Sequence, residues 1–310
     1  MQRANTNVNR LGRLGKNLKR DYVLYLFLIP TILWYILFCY FPMAGIYSAF
    51  TDYNGIGDMF SAKFVGLKWF EKFFNSSYAK STIINTLRIS LYSLAVFPLP
   101  IIMAIMLNMV YNEKIKKVSQ TIMYAPHFIS LVVLSSMITL LFDANGGLVN
   151  TVLKNLGHEP YNFIGSADAF PHLFVWSGVW QSLGWDCIIY VAALAGVDPA
   201  LHEAAKMDGC SRLKRVWYVD LPTITPTIVI MLIMRVGKLM SVSTEKTLLF
   251  RNNVNMATSE TVGTFVYFRG LINGDMGYAT AVGLFLNLVN LILLVTVNQI
   301  AKKTSETSLF

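Results

Sequence analysis

The stretch Asp198-Pro-Ala-Leu-His-Glu-Ala-Ala-Lys-Met-Asp-Gly-Cys-Ser-Arg-Leu-Lys-Arg-Val-Trp-Tyr-Val-Asp-Leu-Pro222 is a charged, amphipathic interruption in a strongly apolar chain. It holds two helix starts in succession. Asp198 can accept a hydrogen bond from a free backbone N–H, and Pro199 at the first helical position lacks an N–H that would go unpaired. Leu201, Ala204 and Ala205 then share one helical face. Gly209 suits the left-handed turn that ends such a helix. Ser211 can cap a second short helix with Leu213, Val216 and Trp217 on its apolar side. Leu221-Pro222 is expected to stop that helix, because the residue before a proline avoids the helical region. The segment thus reads as two short helices at a sharp turn, set between two very hydrophobic runs.

Working outward, 55% of the 310 residues are hydrophobic and 14% are charged, against roughly 25% charged in a soluble domain. Lipid is therefore the main solvent of the chain. Cys39, Cys187 and Cys210 form neither a disulfide framework nor a zinc spacing. The net charge of +9 matters less than its distribution. Residues 1–21 are a basic tail, with Arg3, Arg10, Arg13, Lys16, Lys19 and Arg20 against Asp21. The apolar run from Tyr22 to Phe50 is too long for a signal-peptide core and reads as a first membrane span, kinked or ended near Pro42. Five more spans are expected near 85–110, 120–142, 172–196, 225–242 and 279–300. The fold class is an all-α membrane protein with six transmembrane helices, its transmembrane domain at 22–301 and a short tail at 302–310.

Lys and Arg set the orientation. The tail, 111–119, 197–224 and the C-terminus carry 15 basic residues in about 70 positions, and the opposite loops carry 8 in about 100. Both termini and the 198–222 segment are therefore expected in the cytoplasm. On the other side, Phe64 to Phe74 has aromatics at helical spacing and suits a helix lying on the membrane surface. Residues 143–171 read as a short loop capping the outer ends.

Enzymatic motifs are missing from the sequence. There is no G-x-x-x-x-G-K-[ST], H-E-x-x-H, C-x-x-C or G-x-S-x-G, and His127, His158, His172 and His202 have no partners at metal-ligand spacing. No cofactor or metal is expected in this chain, and no nucleic acid. A DNA-reading helix-turn-helix is excluded because the segment is tethered to membrane at both ends. An amphipathic pair resting on lipid headgroups, with Lys206, Arg212, Lys214 and Arg215 on phosphates, is the plainer alternative.

The spacing Glu203-Ala204-Ala205, Gly209, Val219 and Leu221-Pro222 resembles the "EAA" signature of permeases from binding-protein-dependent ABC importers. Phe64-Val-Gly-Leu, Asn85-Thr-Leu, Tyr124-Ala-Pro-His-Phe-Ile-Ser130 and Tyr278-Ala-Thr-Ala-Val-Gly-Leu-Phe285 extend the resemblance to the maltose-type, polysaccharide and multiple-sugar branch, over roughly residues 20–305. Cys210 and Ser243-Thr244-Glu245-Lys246 depart from the usual pattern. The resemblance implies a type I importer permease fold in a bacterial cytoplasmic membrane. The 198–222 loop would carry a coupling helix for a separate ATPase, which itself holds ATP and Mg. The implied partners are a second permease, two ATPase subunits and an extracellular or periplasmic sugar-binding protein. The implied docking residues are Glu203, Ala204, Ala205, Met207, Asp208 and Gly209.

Ionisable residues at membrane depth usually face a bundle interior or a cavity. Asp186 and Arg235 each lie ten residues from an expected inner span end, about 15 Å deep, and are expected to pair. Lys238 is one turn further out, and Arg88 can snorkel. Sugars favour aromatic faces with polar groups at the ring edge. Trp180, Gln181, Trp185, Asn287 and Asn290 are of that type, with ordinary helix packing as the alternative. The cations make an acidic oligosaccharide the substrate to test. Two other classes compete: an ion-coupled secondary transporter using Asp186, Arg235 and Lys238, which leaves 198–222 unexplained, and a membrane-embedded enzyme, which lacks a nucleophile or metal cluster.

Overall fold

Apolar runs of this length must satisfy every backbone N–H and C=O within the segment, so they fold as helices. The computed structural model describes residues 20–305 and 307–310; Arg3, Arg10, Arg13, Lys16 and Lys19 of the basic tail lie outside the described residues. Thirteen helical stretches carry the architecture: α1 Tyr22–Phe50, α2 Lys68–Phe74, α3 Ser77–Asn108, α4 Glu113–Phe128, α5 Leu131–Leu141, α6 Leu148–Asn155, α7 Ala169–Ala195, α8 Pro199–Met207, α9 Arg212–Val236, α10 Thr244–Phe250, α11 Met256–Ser259, α12 Val262–Ile272 and α13 Met276–Ser305. An isolated antiparallel bridge joins Thr51 to Phe64.

Helices α1, α3, α9 and α13 are each long and apolar enough to cross a bilayer, and the pairs α4–α5 and α7–α8 reach that standard with bends of 98° and 70°. The expected third span at 120–142 is therefore broken. Pro126 sits in a 3-10 turn ahead of the break, and the Ser130 hydroxyl starts α5 afresh by accepting from Val133 N at 3.3 Å. The helix that contains the expected second span begins at Ser77, where Ser76 caps it by accepting from Ala79 N at 3.2 Å. The polar residues of that first stretch have buried partners: Asn85 Nδ2 donates to the carbonyls of Ala257 and Glu260 at 2.9 and 3.0 Å.

Leu221-Pro222 acts differently from the sequence expectation and does not end its helix. At Pro42, where a kink or an end was expected, the helical run passes from a π turn to a 3-10 stretch and continues to Phe50. A π-helical turn precedes each, Ile36–Tyr40 before Phe41-Pro42 and Val216–Asp220 before Leu221-Pro222. In both, the residue before proline donates five residues back, Phe41 N to Ile36 O and Leu221 N to Val216 O. The wider turn accommodates a ring that clashes with the carbonyl four residues earlier in a regular α-helix. The second helix of the 198–222 segment is therefore continuous with the fifth span, as α9.

Helix α7 is central to the packing. Its Cys187, Tyr190 and Leu194 pack with Ile101, Ala104 and Leu107 of α3 and Ile224 of α9. Phe170, Phe174 and Val175 pack with Ile89 of α3 and Phe250 of α10. A third cluster joins Phe73, Ala79, Val262, Phe265, Tyr278 and Val282. Phe73 of α2 is thus core, and Trp69 Nε1 donates to Thr51 O at 2.8 Å. Helix α2 packs on α12 and α13 through this face. The loop 143–171 is held by buried Asn150, which bonds Asp143 O, Tyr161 O and Tyr161 N.

Candidate functional site

The 198–222 segment is built from local backbone chemistry. Asp198 Oδ1 accepts from Ala200 N at 2.9 Å, with Pro199 in the first turn. Helix α8 ends at Gly209, whose φ of +73° is open to glycine and strained for other residues. Gly209 N donates to Lys206 O at 3.0 Å and Cys210 N to Ala205 O at 2.9 Å, a closure that satisfies the last carbonyls. Ser211 Oγ then accepts from Lys214 N and opens α9. Glu203, Ala204, Met207, Asp208 and Gly209 are exposed, Met207 by 88%, and Ala205 is half-buried. Leu213, Trp217 and Tyr218 are exposed as well. Helix α8 and the start of α9 together present apolar side chains, the acids Glu203 and Asp208 and the cations Lys206, Arg212 and Lys214 on an exposed surface.

Two contacts that the sequence reading did not anticipate brace this segment. His202 Nε2 lies 3.3 Å from Oδ1 of Asp220, which is almost fully buried. That contact joins α8 directly to the π turn of α9. The Arg212 guanidinium lies over the Tyr111 ring at 4.9 Å, tying the start of α9 to the connection after α3. An acid immediately before Leu221-Pro222 was the available signal for the first contact.

Within the bundle, α3, α7, α9 and α10 enclose a cavity of about 350 Å³. Asp186, Arg235 and Lys246 are its charged walls. Arg235 Nη1 stands 3.8 Å from Asp186 Oδ2, and Arg235 Nη2 donates to Ser93 O at 3.3 Å. Both charged side chains of the pair remain about two-fifths exposed. A second cavity of about 250 Å³ shares Ser93, Phe174 and Arg235 with the first and adds Lys238, Ser241 and Ser243. Between them the walls of the two cavities hold three cations and one acid.

The remaining sequence-derived candidates separate. Gln181 is buried and donates to Ile129 O at 2.7 Å, holding the break between α4 and α5. Asn290 is buried, accepts from Met240 N and donates to Ser241 Oγ, both at 2.9 Å. Trp185 is half exposed and stacks on His127 with centroids 4.3 Å apart and planes 4° from parallel. Trp180 is also half exposed. Asn287 lines a different, mostly apolar groove between α12 and α13. Lys238 lies beyond the end of α9, where its N–H bonds Arg235 O at 3.2 Å, rather than on the helix. Lys246, a departure from family pattern in the sequence, is instead a wall of the charged cavity. A lysine in the run Thr244–Phe250, next to Leu248-Leu249-Phe250, was the signal.

Residues 96–306 match the family described as binding-protein-dependent transport system inner membrane component. The chain is 38% identical over 294 residues to protein LplB of Bacillus subtilis (strain 168), covering 94% of this chain and 92% of LplB. It is 38% identical over 299 residues to the polygalacturonan/rhamnogalacturonan transport system permease protein YteP of the same organism, covering 96% and 93%. Among solved structures, a chain of a bacterial alginate ABC transporter, in complex with an alginate pentasaccharide-bound periplasmic protein, superposes with a TM-score of 0.88 at 34% identity. The match covers 96% of this chain and all of that one.

Proposed function

The chain belongs to the binding-protein-dependent transport system inner membrane components, and from that membership we propose that it is the permease subunit of an ATP-driven importer for an acidic oligosaccharide. The observation that carries the transport reading is the lever at 198–222. A helix set 70° from α7 ends at a left-handed glycine, and the next helix runs unbroken into the membrane. Its exposed Glu203, Ala204, Met207 and Asp208 suit a close protein partner. The small alanine admits a partner backbone, and the carboxylates meet basic or N–H donors. The partner is a separate ATPase that holds ATP and Mg, with two ATPase subunits, a second permease and an external binding protein completing the assembly. The loop and both termini are cytoplasmic, in a bacterial inner membrane. ATP-driven closure of the ATPase pair opens the permeases outward, and hydrolysis returns them inward.

The acidic substrate is supported by two independent facts. Two of the three named relatives carry an acidic polysaccharide in their names, YteP polygalacturonan/rhamnogalacturonan and the solved transporter alginate, and the cavities carry Arg235, Lys238 and Lys246 against Asp186. The test is reconstitution in proteoliposomes with ATPase subunits, a second permease and a binding protein. An acidic oligosaccharide should stimulate ATP hydrolysis and accumulate inside, and Glu203→Lys should remove the stimulation. Uptake driven by a proton gradient without ATP would instead establish the secondary-transporter reading.

A further inference from the structure

Lys246 is the most deeply buried cation of the cavity. Its residue is 6% exposed, and its ammonium donates to Phe174 O at 2.6 Å and lies 4.6 Å from the Phe174 ring centroid. An ammonium has three donors, and the Phe174 carbonyl takes one. Among the described residues no carboxylate lies within 4.0 Å of it. A buried charge without a counter-charge is costly. Arg235 in the same cavity is in a different position, with Asp186 at 3.8 Å and Ser93 O at 3.3 Å. The cavity is therefore one negative charge short, and the shortage lies on the Lys246 side.

Gly178 of α7 defines the space around that ammonium. A Cβ at this position would stand 2.9 Å from Lys246 Nζ. Any larger residue would push the lysine head off its present seat. The absent side chain leaves the ammonium facing the cavity, whose size of about 350 Å³ lies at the small end of ligand sites. Phe97 and Phe174 give it apolar walls and Ser93 and Ser182 give it polar edges.

We propose that Lys246, seated in the notch left by Gly178, binds a carboxylate of the transported oligosaccharide and sets the preference for uronate over neutral sugar. The assignment rests on the importer reading and goes beyond it by naming the residue that discriminates. The alternative role for Lys246 is a peg that pins α10 to α7 through Phe174 O.

The two roles separate in the reconstituted importer, using an oligogalacturonate and its methyl ester as probes. The measured quantity is the ratio of their uptake rates relative to wild type, so that any preference of the binding protein cancels. Lys246→Met should lower this ratio about tenfold, the loss of one charge-assisted contact, and Lys246→Arg should keep more than half of it. Gly178→Ala, which displaces the ammonium without removing it, should fall between. Complex yield and basal ATP hydrolysis are measured for each; if Lys246→Met fails to assemble, the Gly178→Ala and Lys246→Arg ratios decide. Equal loss on both probes, or an unchanged ratio, overturns the assignment in favour of the peg. Wild-type importer that takes up neither probe overturns the importer reading and the assignment with it, whereas a wild type that imports both equally overturns the assignment alone.

Discussion

The 198–222 loop and the charged cavity are incomplete in opposite senses. The loop has its polar backbone groups satisfied within a few residues and leaves apolar side chains, Met207, Leu213, Trp217 and Tyr218, in the open. The cavity has buried apolar walls and leaves charge uncompensated. Missing apolar cover calls for a protein partner, and missing counter-charge calls for a charged solute. Under the proposed function the two regions divide the work of a coupled transporter, one facing an energy source and one facing the cargo. Substitutions in the loop should change coupling for every substrate, and substitutions in the cavity should change which substrate is moved.

The largest effect is expected at Gly209. Proline there is incompatible with a φ of +73° and removes the N–H that bonds Lys206 O. Gly209→Pro should abolish substrate-stimulated ATP hydrolysis with every sugar tested, while the chain still inserts in the membrane. Gly209→Ala, which meets only a left-handed cost of about 1–2 kcal/mol, should retain partial coupling. A Gly209→Pro importer with normal stimulated hydrolysis would break the division between the two regions.

The same contrast explains what the sequence made legible. Caps, the left-handed glycine and a charged break between apolar runs are local signals, so both ends of α8 could be read directly. The cavity draws on four helices far apart in the chain. Asp186 and Arg235 were found because charges at membrane depth are rare. Lys246 was missed because its apolar surroundings come from Phe174, some 70 residues away. Gln181 and Asn290 looked like sugar-binding amides, yet their partners are Ile129 O and the Met240–Ser241 turn, which only tertiary structure supplies. The π turns were illegible for another reason. A proline in a helix signals a stop, and no local pattern marks the wider turn that lets the helix pass; in α9 that turn holds the buried Val216 and Asp220.

Reversing one member of the Asp186–Arg235 pair comes next in size. Both side chains are about two-fifths exposed at a separation of 3.8 Å, so the pair contributes at most about 1 kcal/mol to stability. Asp186→Arg or Arg235→Asp alone should lower uptake about tenfold with little change in melting temperature, because each alters the charge of the cavity. The double reversal should restore most of the uptake. Absence of rescue would show that the two residues act separately.

A smaller and different effect is expected from the amides. Gln181→Ala leaves Ile129 O without its donor, and Asn290→Ala leaves Met240 N without its acceptor. Each should cost about 1–3 kcal/mol of stability, read as a lower melting temperature of the purified complex. Substrate preference should stay the same. A shift in preference would move these residues back to the cargo side of the comparison.

The smallest effect is expected at Pro222, the point where the two regions meet on one helix. Pro222→Ala restores a backbone N–H and removes the ring that the π turn accommodates. If the turn then closed to a regular α-helix, the residues beyond it would rotate by about 100°, and Arg235 would swing away from Asp186. Two features oppose that closure: Val216 and Asp220 are buried, and Asp220 is held 3.3 Å from His202. Pro222→Ala alone should therefore change uptake by less than about twofold and stability by less than about 0.5 kcal/mol. Combined with His202→Ala, which frees Asp220, the same substitution should reduce coupling more than the two single changes added together. A spin-label distance between α8 and the end of α9 would follow the rotation directly. An additive double variant, with that distance unchanged, would mean that the π turn is set by lipid-facing packing and that the His202–Asp220 contact does not transmit motion from the loop to the cavity.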